Sequence, residues 1–306
     1  MTDENQVKYI SYSASNTLLG CERKYWFEKV VKQAYDADYS DDKEALCVGK
    51  AYHQTLELSK HSSKNYSDEL LNKAIKENNL SDHHRYIVFA SLIAYYKLRR
   101  GSALQCIACE IKVGNEQFVG YIDAVLVDSY GNWWICDLKT SGQIQEGMFA
   151  RLTMDTQLNL YAYFASQVAE QLNLSMDQFM GVRYCVVGKS RMKVKPTESL
   201  IEFATRANVT CYDIEIEKQD MQPVAAFNSM MRLLDRANAL TEVEIVPNRN
   251  NCIQYSSPCP YWSQCHNGKT YSACCEAVKS FDQNSINDRS RIPAVTVVEN
   301  DLDILA

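Results

Sequence analysis

Gly120-Tyr121-Ile122-Asp123, with Asp137-Leu138-Lys139 beginning fourteen residues beyond Asp123, decides the reading of this chain. Together the two stretches set two carboxylates and an ammonium into one small sheet. Phe118 to Val127 and Trp133 to Thr140 are rich in β-branched and aromatic residues, and Asp128-Ser129-Tyr130-Gly131-Asn132 between them supplies turn chemistry. The segment is therefore expected to form a hairpin centred on Tyr130. Counting outward equally from Tyr130 reaches Asp123 and Asp137, which should oppose one another across the ladder with Lys139 on their face. Like charges in that position destabilise a sheet unless something positive lies between them. A divalent cation fits the gap. Mg²⁺ takes one or two carboxylates and leaves its remaining positions to water and substrate phosphate, as phosphodiester cleavage requires. Lys139 could then orient or deprotonate the attacking water and offset charge at phosphorus. A surface hairpin carrying an Asp-Lys pair fits the same residues, so the neighbours decide.

Upstream, a strand from Leu104 to Val113 leads through Gly114-Asn115-Glu116, and a tight turn there would set Glu110 near Tyr121, diagonal to Asp123. Gly49 to Glu57 reads as a helix with Val48, Tyr52 and Leu56 inward and His53 at the edge of that stripe. Downstream, Asp155 to Leu172 reads as one amphipathic helix burying Tyr161, Phe164, Ala165, Val168 and Leu172. Gln157 falls one turn before Tyr161 on the same stripe, and a buried amide must find a partner.

The series Cys21 to Phe27, Gly49 to His53, Glu110, Gly120 to Asp123, Asp137 to Thr140 and Gln157 to Tyr161 resembles the RecB-like branch of the PD-(D/E)XK nuclease superfamily. The resemblance spans most of residues 9 to 265. It implies an α/β fold with a restriction-endonuclease-like core: a mixed central sheet flanked by helices, preceded by N-terminal helices and followed by a cysteine-cluster region. It also implies His53, Asp123 and Asp137 as ligands of Mg²⁺ or Mn²⁺, with the backbone carbonyl of Leu138 completing the set. Lys139 would be the catalytic lysine, and Gln157 with Tyr161 the helix motif that lines the site near DNA. Glu110 matches a glutamate of the family associated with a second metal. The commoner glutamate at the central acidic position is here the shorter Asp137.

Twelve cysteines, no N-terminal apolar run of the signal-peptide kind and no stretch long enough to span a membrane point to a reduced cytoplasmic protein, in a host's cytoplasm if the source is viral. Disulfides are not expected. Cys47, Cys106, Cys109, Cys136, Cys185, Cys211 and Cys274 show no ligand spacing and read as small hydrophobes or incidental thiols. Cys252, Cys259 and Cys265 are different, because they crowd into fourteen residues and need one further soft ligand to close a site. Four thiolates hold either zinc or an iron-sulfur cluster, and spacing does not choose between them. Some RecB-like nucleases carry a four-iron, four-sulfur cluster tied by one N-terminal and three C-terminal cysteines, and Cys21 stands where the first belongs. The resemblance thus implies a 4Fe-4S staple on Cys21, Cys252, Cys259 and Cys265. The six residues between Cys252 and Cys259 exceed the usual two, and His266, Cys274 or Cys275 could substitute as a ligand.

With 306 residues, 46% apolar and 23% charged, the chain can bury a large core, and no low-complexity linker divides it. Residues 1–280 are expected to form one nuclease domain that includes the cysteines, and residues 281–306 an acidic flexible tail. Ser13 or Ser15 is expected to cap a first helix running to about Lys32, with further helices at Ser67 to Asn78, Asp82 to Arg100 and Met221 to Leu240. Strands are expected at Gly181 to Gly188 and Asn208 to Glu217. The net charge of −6 argues against a protein that coats nucleic acid nonspecifically. Lys189, Arg191, Lys193 and Lys195, however, recur with period two and in an extended strand would share one face. Such a face could track a phosphate backbone, or simply protect a hairpin edge. The expected activity is metal-dependent hydrolysis of DNA, as an exonuclease acting at ends in recombination, repair or replication. A structure-selective or adaptation-type endonuclease and a noncatalytic iron-sulfur DNA-binding subunit are the alternatives. With no helicase P-loop, the chain would work alone or beside a separate helicase or recombination protein.

Overall fold

The computed structural model describes residues 7–35, 44–240, 245, 247–254 and 257–265. The expected tail at 281–306 and the alternative ligands His266, Cys274 and Cys275 lie outside the described residues. The chain divides into two compact units, Met1–Gln33 with Ser40–Asn248, and Ala34–Tyr39 with Arg249–Ala306.

In the first unit, Ser11 caps α1 (Tyr12–Gly20) by accepting from the Ala14 amide. The first helix does not run on to Lys32 as expected. Cys21 is extended, with φ −165°, and the chain restarts as α2 (Glu22–Tyr25) and a π-helical turn (Trp26–Val30). Next come α3 (Glu44–Leu58), α4 (Asp68–Glu77) and α5 (Asp82–Arg100). Strands β1 (Gln105–Gly114), β2 (Val119–Val127) and β3 (Trp133–Ser141) follow as an antiparallel meander. The chain then crosses over through α6 (Glu146–Phe149), α7 (Thr156–Tyr163) and α8 (Ala165–Leu172) to β4 (Phe179–Gly188), which lies parallel to β3. A parallel neighbour requires such a long crossover. The expected single helix from Asp155 is thus two, interrupted where Phe164 leaves helical geometry at ψ 12°. Finally α9 (Leu200–Ala207), which was not foreseen, precedes β5 (Cys211–Glu217), antiparallel to β4, and α10 (Pro223–Ala239) closes the unit.

The sheet order is β1-β2-β3-β4-β5, a mixed sheet with helices on both faces, as the sequence implied. On one face Ile111, Val113, Ile122, Trp133, Ile135 and Val186 pack with Leu18, Leu160, Phe164, Val168 and Leu234. On the other, Ala124, Leu126, Cys136, Leu138 and Val187 pack with Val48, Tyr52, Leu56, Leu71, Leu92, Tyr95 and Phe203. Central strands apolar on both faces are what such a sandwich demands. Gly49 lets α3 approach β3 closely, because a Cβ there would stand 3.1 Å from Thr140 Oγ1.

In the second unit, β6 (Ile253–Gln254) and β7 (Ser257–Pro258) form a small hairpin, followed by α11 (Trp262–Cys265). Every cysteine among the described residues is unbridged. No helix among them is long and apolar enough to cross a membrane.

Candidate active site

The meander and α3 converge on one cluster. Ala124 pairs with Cys136, so Asp123 and Asp137 follow in register one step beyond the paired residues, as counting from Tyr130 anticipated. Glu110 was expected near Tyr121 and diagonal to Asp123, but the β1–β2 register places it across from Asp123. The turn is one residue later than expected because Asn115 organises it. Its side chain accepts from the Gln117 and Phe118 amides, and its own amide donates to the Phe118 carbonyl. Glu110 itself has φ 51°, a backbone uncommon for a residue with a side chain. One ligand atom each from His53, Glu110 and Asp123 lie within 4.8 Å of one another, so α3, β1 and β2 each contribute to a metal-sized triad. Asp137 stands beside that triad rather than in it.

The charges in this cluster are unbalanced. Asp137 has 0% exposure, alone among the acidic side chains of the described residues. Its Oδ1 accepts from Lys139 Nζ at 2.9 Å, while its Oδ2 is buried without a partner. Burial, with a further push from Asp123, raises the Asp137 carboxyl to about 7. Glu110 rises to about 6, through desolvation first and then the Asp123 charge. Asp123 is held low: burial opposes its ionisation, but His53, Lys139 and the Leu138 amide outweigh it. That amide donates to Asp123 Oδ2 at 2.6 Å. His53 Nδ1 lies 3.5 Å from Asp123 Oδ1, and this neighbour raises the imidazole against the opposing effect of burial. For Lys139, burial works downward, yet Asp137 and Asp123 raise the ammonium to about 12.

Behind the cluster, Gln157 Nε2 donates to the Tyr161 hydroxyl at 2.7 Å, and that hydroxyl donates to the Tyr121 carbonyl at 2.7 Å. The Gln-x-x-x-Tyr pair therefore braces β2 two residues before Asp123. Asp155 begins this helix by accepting from the Leu158 amide.

The chain that carries this cluster matches a known family. The family model of the PD-(D/E)XK nuclease superfamily matches residues 9–266. The chain is a member of that superfamily. It is accordingly a nuclease, a hydrolase acting on nucleic acid, from a superfamily that works with divalent metals. A solved candidate exonuclease from Eubacterium rectale is 12% identical, with TM-score 0.45, covering 86% of this chain and 89% of its own. The solved protein SSO0001 is also 12% identical, with TM-score 0.29, covering 83% and 98% respectively. No curated protein sequence matches the nuclease.

The residues present fit a hard divalent cation. A buried carboxylate oxygen without a partner, two further carboxylates and an imidazole are oxygen-rich donors in want of positive charge. The basic run is another matter. β4 ends at Gly188, and Lys189, Arg191, Lys193 and Lys195 lie in irregular chain, so the expected strand with one basic face does not form. Side-chain bonds help hold that stretch: Lys189 Nζ donates to the Ala45 carbonyl, Arg206 to the Lys193 carbonyl, and the Lys195 amide to Glu198. A cleft of about 1740 Å³ elsewhere in the first unit carries basic and aromatic groups together. Lys8, Lys29, Lys32 and Lys112, with Tyr9 and Tyr121, line it, and it reaches Gln157 and Tyr161. Sequence reasoning missed these lysines because they come from α1's approach, the π-helical turn and β1, with no spacing in common.

Proposed function

We propose that this nuclease is a RecB-like DNA exonuclease, hydrolysing phosphodiester bonds at DNA ends with Mg²⁺ or Mn²⁺. The observation that carries the reading is Asp137, buried with one oxygen on Lys139 and the other without a partner. In this reading Asp123, Asp137, His53 and the Leu138 carbonyl hold the cation, with Glu110 beside them. When bound, the cation polarises the phosphate and lowers the pKa of the attacking water. The chain's own groups do the rest. Lys139, anchored by Asp137, offers an ammonium that hydrogen-bonds the attacking water or a nonbridging phosphate oxygen and offsets charge as the bond to the leaving sugar oxygen breaks. Tyr161 and Gln157 hold β2, and with it Asp123, in place. The cleft of lysines and tyrosines suits a strand whose backbone meets ammonium groups and whose bases meet rings. Lys189, Arg191, Lys193 and Lys195 remain candidates for phosphate contact as separate groups rather than a strand face.

A 4Fe-4S cluster on Cys21, Cys252, Cys259 and Cys265 belongs to the same proposal, with zinc as its alternative. The insertion between Cys252 and Cys259 is the β6–β7 hairpin, and the Cys259 amide donates to the Cys252 carbonyl at 2.7 Å. The longer spacing is thus compatible with the two cysteines lying at the base of one hairpin. Cys21 sits in the extended break between α1 and α2, its sulfur accepting from the Asn248 amide at 3.4 Å. Reduced thiolates suit the cytoplasm, where a separate helicase or recombination protein would supply ends. Iron, sulfide and zinc analysis of anaerobically purified protein, beside Cys259→Ser, tests the cluster.

Digestion of end-labelled linear and covalently closed circular DNA, single-stranded and duplex, with Mg²⁺, Mn²⁺ or EDTA, tests the activity. Metal-dependent loss of linear DNA alone, abolished in Lys139→Ala, is expected. Cutting of circles would replace the exonuclease with an endonuclease, and no cleavage by cluster-replete protein would leave a binding subunit.

A further inference from the structure

A second cluster of metal-ligating side chains joins the turn after α3 to the first half of β1. A ring nitrogen of His61 and the sulfurs of Cys106 and Cys109 all lie within 4.8 Å of one another, and His61 is buried. Sequence spacing alone argued against this, since residues three apart on a regular strand point to opposite faces. A β-bulge between Cys106 and Ala108 shifts the register of β1 and turns the two thiols together, Sγ to Sγ 3.6 Å.

The histidine is delivered by equally irregular backbone. After α3 the Lys60 amide donates to the Glu57 carbonyl and the His61 amide to the Leu56 carbonyl, which is a Schellman ending. Glycine usually occupies the left-handed position of such an ending, but here Lys60 has φ 49° and His61 has φ 56°. Glu110, next to Cys109, is left-handed too. Uncommon backbone gathered at one place marks a site where the local arrangement is held for use. His61 is also oriented from behind. Its Nδ1 is 2.8 Å from the Tyr95 hydroxyl, on a tyrosine with 0% exposure, which leaves Nε2 to face a ligand.

We propose that His61, Cys106 and Cys109 form a second metal site, taking Zn²⁺ through one imidazole nitrogen and two thiolates, with water in the fourth position. Two sulfurs each about 2.3 Å from a tetrahedral zinc stand about 3.8 Å apart, close to the spacing found and far from the ~2.05 Å of a disulfide. Thiolate and imidazole donors select zinc over the hard cations suited to the carboxylate cluster. Binding releases the thiol protons to solvent. The ion ties the end of α3 to edge strand β1, the two elements that also carry His53 and Glu110. It is independent of the proposed cluster on Cys21 and of nuclease activity.

Zinc content tests it directly. Wild-type protein purified with reductant and zinc should hold one more equivalent of zinc than Cys106→Ser/Cys109→Ser, a difference that cancels whatever the remaining cysteines bind. Equal content would overturn the site. In wild-type protein, added Zn²⁺ should slow alkylation of Cys106 and Cys109 together, read by peptide mass spectrometry, so the test survives a variant that fails to fold. Alkylation indifferent to Zn²⁺, or recovery of the pair as a disulfide, would overturn it in favour of no site or a redox pair. Tyr95→Phe should weaken Zn²⁺ binding roughly 10–100-fold through His61, and a His61→Ala variant that leaves affinity unchanged would remove His61 from the ligands.

Discussion

Strand β1 is approached twice, once by α3 and once by the turn that follows it. At one meeting His53 and Glu110 face Asp123, with Asp137 and Lys139 alongside; at the other, His61 faces Cys106 and Cys109. α3 with the turn after it, and β1, thus contribute both to a hard, oxygen-rich set completed by β2 and β3 and to a soft, sulfur-rich set a few residues apart. Scaffold geometry is shared, so donor chemistry alone separates what each can hold. The oxygen set lacks positive charge, with a buried carboxylate oxygen unpartnered and two carboxyls raised. The sulfur set is held by backbone irregularity on both sides.

The contrast can be broken most sharply at the oxygen set. Lys139→Ala should lower the rate of DNA cleavage by about 10³-fold, equivalent to about 4 kcal/mol, with circular dichroism unchanged. A variant that keeps full activity would remove the lysine from the chemistry. Next comes the shared support. Leu56 has 0% exposure on the inward stripe of α3, between the two histidines. Leu56→Ala should cost about 3 kcal/mol in urea unfolding and weaken metal binding at both sets together. If only one set responded, the two would not share their scaffold energetically.

A smaller effect separates the two by metal. Mn²⁺ at roughly 100-fold its Kd should stabilise wild-type protein by about 2.7 kcal/mol in denaturant titration. Asp137→Asn should abolish that increment and leave Zn²⁺ uptake at the sulfur set untouched. Loss of both together would make the sets one site. The smallest effect concerns bracing. Tyr161→Phe removes the bond to the Tyr121 carbonyl and should cost about 1 kcal/mol of stability. Because that carbonyl sits on β2 near Asp123, Mn²⁺ affinity should fall in the same variant, while zinc content should not.

The oxygen set was legible in the sequence because regular strands and helices convert spacing into position. Equal counts from Tyr130 match the β2–β3 pairing up to Ala124 and Cys136, one step short of Asp123 and Asp137, and the inward stripe of Val48, Tyr52 and Leu56 placed α3 with His53 at its edge. Glu110 was one register step out because Asn115 organises the turn, and the helix from Asp155 was read as continuous because its apolar stripe runs through the interruption at Phe164. The basic residues from Lys189 onward kept their period in sequence, but the strand they implied did not form. Period two describes a strand only where a neighbour supplies hydrogen bonds, and the ladder stops at β4.

By itself the sequence determined the fold class, the superfamily and the chemical character of the carboxylate-lysine cluster, since all three rest on residue types at spacings that regular secondary structure preserves. The tertiary structure decided what depends on departures from regularity. It paired Glu110 with Asp123, left Asp137 Oδ2 buried without a partner, and moved the lysine- and tyrosine-lined cleft away from the basic run. It also gathered His61, Cys106 and Cys109. A bulge and a left-handed pair of residues are set by packing between distant segments, and no local pattern of amino acids records where distant segments will meet.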